Sequence, residues 1–174
     1  MDPRHQTQAG FSLLETVVAI GVMTVGALGM AGVFAAGVQK TASSPSELLA
    51  TQKATEAIES VFSARDSHTV TWAQLRNVSA GGIFVDGPEA LKVAGADGVL
   101  NTADDGAVET VVLPGPDQQL GTADDVTQTL DGFTREIRLV DLSTDLRSVT
   151  VTITYRAGPA IRSYTLTAYI STFA

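Results

Sequence analysis

The stretch GFSLLETVVAIGVMTVG, Gly10 to Gly26, decides what kind of chain this is. It begins on a glycine, places a carboxylate at Glu15 and then turns uncharged. From Thr16 to Val38 there are 23 residues without a charge, and only Thr16 and Thr24 are polar. As a helix this run would extend about 34 Å, enough to cross a hydrocarbon core of roughly 30 Å. Gly21, Gly26, Gly29, Gly32 and Gly37 punctuate it. Glycine at that density weakens a helix in water, whereas in a membrane small residues let neighbouring helices approach closely. A charge beside such a segment is costly unless it has a partner or a purpose, so Glu15 has to be explained.

Outside this stretch the chain is polar and acidic. It has 174 residues, 19 acidic against 11 basic, and a net charge of −8. No basic stripe is available to displace counterions, so no nucleic-acid partner is expected. There is no cysteine, which excludes disulfides, thiolate metal sites and cysteine nucleophiles. The two histidines, His5 and His68, leave little material for imidazole chemistry, and His68 reads as a surface residue near a helix end. No convergent set of nucleophile, base and metal ligand is visible, so an enzyme is not expected.

Three devices produce an N-terminal apolar helix. A secretory signal has a basic front end, an apolar stretch of about 7–15 residues and a cleavage site with small residues. Here the apolar stretch is too long and the front end, MDPRHQTQAG, is only weakly basic, although a cut after Ala35 or Ala36 stays open. A plain single-pass anchor explains the length but not Glu15. The third device is a resemblance. G-FSLLE, with its short polar leader and its uncharged continuation, resembles the cleavage and methylation motif of type IV pilins and type II secretion pseudopilins. The following TVVAIGVMTVGALGMAGVFAAGVQ is similar to the minor pilins of the PilV kind.

The resemblance implies that a prepilin peptidase cuts between Gly10 and Phe11 and that Phe11 becomes an N-methylated first residue. Glu15 is then the fifth residue of the mature chain. A buried carboxylate is tolerable when it meets an opposite charge, and the resemblance implies that Glu15 pairs with the Phe11 amine of a neighbouring subunit. The implied partners are other pilin or pseudopilin subunits, the peptidase, an inner-membrane assembly platform and, before assembly, membrane lipid. The implied location is the bacterial inner membrane, with the head exported, and then a pilus or pseudopilus. The alternative is a single-pass, membrane-anchored, exported binding module, stabilised by calcium in one version.

Beyond the apolar run, Ser44-Pro45-Ser46-Glu47 reads as a helix start, with Ser44 as N-cap, Pro45 at N1 and Glu47 closing a capping box. Pro45 disfavours helix at Ser44, which predicts a kink or short break near residues 42–45. Leu48, Ala54, Ile58, Val61 and Phe62 then fall on or near one helical face. At the other end, Phe133–Leu142, Arg147–Arg156 and Arg162–Ser171 alternate with period two and are rich in Val, Ile, Thr and Tyr. Ala157–Ala160 marks a turn. The expected fold is α+β: a long N-terminal helix whose amphipathic second half covers an antiparallel sheet on the face of Val149, Val151, Ile153 and Tyr155. The expected divisions are a leader (1–10), a hydrophobic helix (11–42), an amphipathic helix (43–66), an irregular region (67–131) and a β-meander (132–174). Within the irregular region, Trp72 reads as a local core anchor and Gly81–Gly87 as a short strand between turns.

The irregular region contains a repeat. GADGVLNTADD (Gly95–Asp105) recurs as GPDQQLGTADD (Gly115–Asp125), offset by 20 residues. Clustered aspartates among turn residues can supply the oxygen ligands that Ca²⁺ takes. The candidate ligands are Asp97, Asn101, Asp104 and Asp105 in one copy and Asp117, Asp124 and Asp125 in the other. The spacing is not that of an EF-hand. The competing reading is a pair of solvated loops in which Asp and Thr side chains cap their own backbone. No cofactor is required by either reading, and Ca²⁺ is the one the loops could take.

Overall fold

The computed structural model describes residues 12–173, and for residues 39–44 the backbone alone. Helix α1 runs from Leu13 to Asp66, 54 residues with Pro45 inside it. The chain divides into two compact units, Met1–Ala42 and Ser43–Ala174, which are taken separately.

In the first unit, Leu13–Val38 is a helix long and apolar enough to cross a membrane, and its side chains stand exposed among the described residues. At 26 residues it extends about 39 Å. Its threonines do not interrupt the helix, because their hydroxyls turn back on the preceding turn: Thr16 Oγ1 donates to the Ser12 carbonyl at 3.0 Å and Thr24 Oγ1 to that of Ile20 at 2.7 Å.

The second unit is a helix on a sheet. Four strands lie in the order β1-β4-β5-β6, with β1 at Glu89–Ala90, β4 at Phe133–Asp141, β5 at Leu146–Ala157 and β6 at Ala160–Ser171. All neighbours are antiparallel. A separate hairpin pairs β2 (Thr110–Leu113) with β3 (Val126–Thr129), Leu113 opposite Val126. The α+β arrangement and the three C-terminal strands are as the alternation indicates. β5 and β6 are joined through Gly158-Pro159, and Gly158 has φ +61°. A left-handed first position followed by the fixed negative φ of proline suits a tight two-residue hairpin.

The inner face of β5 carries Val149, Val151, Ile153 and Tyr155, all buried, and each such side chain contributes about 1.5–3 kcal/mol. Phe133 stacks on Tyr155 with ring centroids 5.7 Å apart. The outer face is polar, and its threonines meet across strands: Thr150 and Thr167 hydroxyls at 3.2 Å, Thr152 and Thr165 at 3.3 Å. That division between faces is the reason for the Val/Thr alternation.

Three local expectations are corrected. Pro45 stands inside α1 rather than at the first position of a new helix: its fixed φ is compatible with helix, and the position forgoes one hydrogen bond and crowds the carbonyl one turn back. The Ser44 side chain lies outside the described residues. The buried stripe of α1 is Ala50, Ala54, Ala57, Val61 and Ala64, spaced four, three, four and three, while Ile58 and Phe62 pack at its margin. Leu48 is off the stripe and 62% exposed. Small alanines let the helix backbone approach the bulky sheet side chains closely, which a leucine stripe would prevent. Finally, Gly81–Gly87 contains no strand; Phe84 makes an isolated parallel bridge with Asn77 and buries its ring in the core.

Candidate functional site

Two groups of sequence-predicted residues need placing: the N-terminal motif and the paired acidic loops. Gly10 and Phe11 lie outside the described residues. Glu15 stands exposed in the first turn of α1. Ser12 precedes the helix and its Oγ accepts the Glu15 N–H at 3.2 Å, while its carbonyl accepts the Thr16 N–H at 3.2 Å. Ser12 is therefore the N-cap and Glu15 is the third helical residue, the Ser-x-x-Glu spacing of a capping box. A carboxylate in the first turn also lies at the positive end of the helix dipole. The position of Glu15 thus has a local reason before any second subunit is considered, and the Ser12-x-x-Glu15 spacing was the signal for it.

The acidic loops are two copies of one structure. In the first, Asp97 Oδ1 accepts the Val99 N–H at 2.8 Å and Asp104 Oδ2 accepts the Asp97 N–H at 3.2 Å. Asp105 Oδ2 accepts the Asn101 N–H at 2.8 Å and Thr102 Oγ1 donates to Asp104 Oδ1 at 2.7 Å. In the second, Asp117 takes Gln119 N–H at 2.9 Å, Asp124 takes Asp117 N–H at 3.3 Å, Asp125 takes Gly121 N–H at 2.6 Å and Thr122 donates to Asp124 at 2.6 Å. The Asp104 and Asp124 carboxyls are held below the usual carboxylate range, chiefly by the threonine hydroxyls. The two glycines that open the copies are needed for the same contact: a Cβ at Gly95 or at Gly115 would lie 2.3 Å from the Asp104 or Asp124 carboxylate.

These hydrogen bonds are those of side chains capping their own backbone. Among the described residues no group of three or more His, Asp or Glu side chains is placed to hold a metal ion.

The surroundings of the repeat differ between the copies. The first is built into the core. Val99, Leu100, Asn101 and Thr102 are buried, the Leu100 N–H donates to Ser60 Oγ of α1 at 3.1 Å, and Asp105 lies 3.6 Å from the Arg135 guanidinium. Burial pushes the Asp105 carboxyl up, against the amides of Asn101 and Thr102 and the charge of Arg135. The second copy is exposed from Pro116 to Asp124.

Arg135 is the centre of a buried ionic cluster. It is fully buried, bonds Glu109 at 3.4 Å and donates to the Lys92 carbonyl at 3.1 Å. Glu109 also pairs with Lys53 of α1, which bonds Glu56 at 2.6 Å. Burial alone would lower the Lys53 pKa, but the hydrogen bonds and charges of Glu109 and Glu56 outweigh it and raise the pKa. A second buried arginine, Arg147, bonds Asp141 and the Trp72 carbonyl, donates to the Leu75 carbonyl at 3.1 Å and lies 4.0 Å above the Trp72 ring. Trp72 is anchored as expected, its indole N–H donating to the Thr144 carbonyl at 3.0 Å. Neither arginine is evident from composition, yet both stand in phase with the inward apolar positions of β4 and β5. That phase was the available signal.

Residues 5–31 match the family model described as the prokaryotic N-terminal methylation motif. The match supports a type IV pilin-like protein that is a substrate of prepilin peptidase and assembles with other pilin subunits. With the apolar helix, it fits a membrane-anchored, single-pass chain. Comparison with curated proteins and with solved structures gave no significant match.

Proposed function

We propose that this protein is a minor pilin or pseudopilin of the PilV kind, a non-catalytic subunit inserted in the inner membrane and extracted from it into a type IV pilus or a type II secretion pseudopilus. The observation that carries this reading is the methylation motif at residues 5–31 set directly on an apolar helix that stands exposed among the described residues. A helix left wholly exposed needs lipid first and other helices later. Along it a Cβ built at Gly21, Gly26, Gly29 or Gly32 meets nothing within 4 Å, so a neighbouring helix can come close at those points.

In this reading the peptidase cuts between Gly10 and Phe11, methylates the Phe11 nitrogen and leaves a cation one residue before the N-cap. Glu15, in the first helical turn, then offers its carboxylate to the Phe11 amine of the next subunit. Glu15→Ala is expected to leave the mature mass unchanged and to reduce incorporation into sheared filaments by about tenfold, the effect of a lost ion pair worth roughly 1.4 kcal/mol or more in a low-dielectric site. Intact mass and immunoblots of sheared filaments check both. Normal incorporation of the variant sinks the pairing. A mature chain that still begins at Met1 sinks the pilin reading and favours a membrane-anchored exported module.

For the acidic loops we propose internal capping rather than a calcium cofactor. Thermal melts in millimolar Ca²⁺ and in chelator are then expected to coincide. A site occupied at a hundred times its Kd would add about 2.7 kcal/mol, so a rise in Tm of several degrees with Ca²⁺ would overturn the capping account.

A further inference from the structure

The two copies of the acidic loop share their internal hydrogen bonds but not their surroundings, and the difference points outward. Leu100 of the first copy is 5% exposed; Leu120, its equivalent, is 65% exposed. Asp105 faces Arg135 at 3.6 Å. Its equivalent, Asp125, pairs with no cation among the described residues, and its Oδ1 is shielded from solvent without a hydrogen-bond partner there. The hairpin carrying the second copy adds Val112, Leu113 and Val126 to the exposed apolar surface. From Val93 to Thr134 the chain holds eight acidic residues and no Lys, Arg or His. The cation that meets the first copy, Arg135, comes from outside this stretch, and the second copy has none among the described residues.

We propose that the loop Gly115–Asp125 is a docking element for a different protein subunit, one that presents an apolar cleft beside an arginine or lysine. The chain itself supplies the template. Where this loop structure is seated, the leucine enters the core, the backbone N–H of that leucine finds a hydroxyl on a helix, and the last aspartate meets a guanidinium. An exposed second copy, already folded by its own caps, loses little entropy on seating in a surface of the same chemistry. A partner with a basic rim also answers the acidity of the stretch. That partner is not a second copy of this chain, because the cleft that fits the loop is filled by residues 95–105 of the same molecule.

The test uses the full-length chain in its native cells, with the photo-crosslinker p-benzoylphenylalanine at Gln119, beside Leu120. The expected result is a cross-link to another protein, mapped to an apolar surface segment containing Arg or Lys. Leu120→Asp is expected to lower its yield about tenfold, the loss of roughly 1.4 kcal/mol, and to leave the Tm unchanged. Asp125→Asn is expected to weaken it in the same direction. A cross-link to lipid, to a second copy of this chain or to nothing overturns the proposal, as does a yield indifferent to Leu120→Asp. A Tm that falls together with the yield would make Leu120 an internal packing residue and overturns it equally.

Discussion

Arg135→Ala is expected to lower the stability of the second unit by about 3–5 kcal/mol, the range for removing one member of a buried ion pair. The size follows from what stays behind. Glu109 and Asp105 remain almost fully buried, and the Lys92 carbonyl loses its donor. Lys53 still reaches Glu109, so one carboxylate keeps a cation while Asp105 keeps only neutral donors, the amides of Asn101 and Thr102 and the Thr102 hydroxyl. The same change unseats the first acidic loop, since Arg135 joins it to the sheet. Denaturant unfolding of the full chain in detergent, followed by the far-ultraviolet signal, measures the effect. A midpoint equivalent to less than about 1 kcal/mol of change would show that water enters the cluster and that Arg135 does not hold it together. Arg135→Lys should fall between, because an ammonium cannot span Glu109, Asp105 and the Lys92 carbonyl with one planar group.

Arg147→Ala is expected to cost about 3 kcal/mol, from hydrogen bonds to a charged group worth about 1.5–3 kcal/mol and a cation–π contact of about 0.5–2 kcal/mol. Asp141 is nearly half exposed and can be solvated once its partner is gone, so this loss is smaller than at Arg135. The carbonyls of Trp72 and Leu75 have no such recourse. Arg147 hydrogen-bonds the segment after α1 to β5, with Arg76 bonding Asp141 at 2.7 Å beside it. Trp72 is the chain's single tryptophan, so its emission reports the change directly: a red shift with the drop in midpoint is expected. An unshifted spectrum with full loss of stability would place the contribution of Arg147 elsewhere than the Trp72 contact.

The two arginines show where reading along the chain stops. Period-two alternation gives the strands and the inward phase, and Arg135 and Arg147 occupy that phase like any Val or Ile. What makes them tolerable is not nearby in sequence. Glu109 comes from before β2, Lys53 from α1 and the Trp72 carbonyl from the segment after it. The stripe of α1 is a milder case: alanines at three- and four-residue intervals are as good a signal as leucines, but only a closely packed sheet makes the smaller residues the buried ones. Pro45 is a case of local signals in conflict, with capping residues indicating a start inside a helix that continues from upstream.

By itself the sequence determined the apolar helix, the methylation motif in front of it, the Ser12–Glu15 spacing, the three C-terminal strands and the repetition of the acidic loop. All of these rest on contacts within a few residues or on a period that persists along one element. Only the tertiary structure decided which copy of the repeat is seated and which is presented, and which charges are buried. Gly95–Asp105 and Gly115–Asp125 are close to interchangeable as local structures. Their separation depends on Ser60 and Arg135, 40 and 30 residues away from the Leu100 and Asp105 they meet, and the mark it leaves in the loop itself is small: Val99, buried in the seated copy, stands where the presented copy has the exposed Gln119.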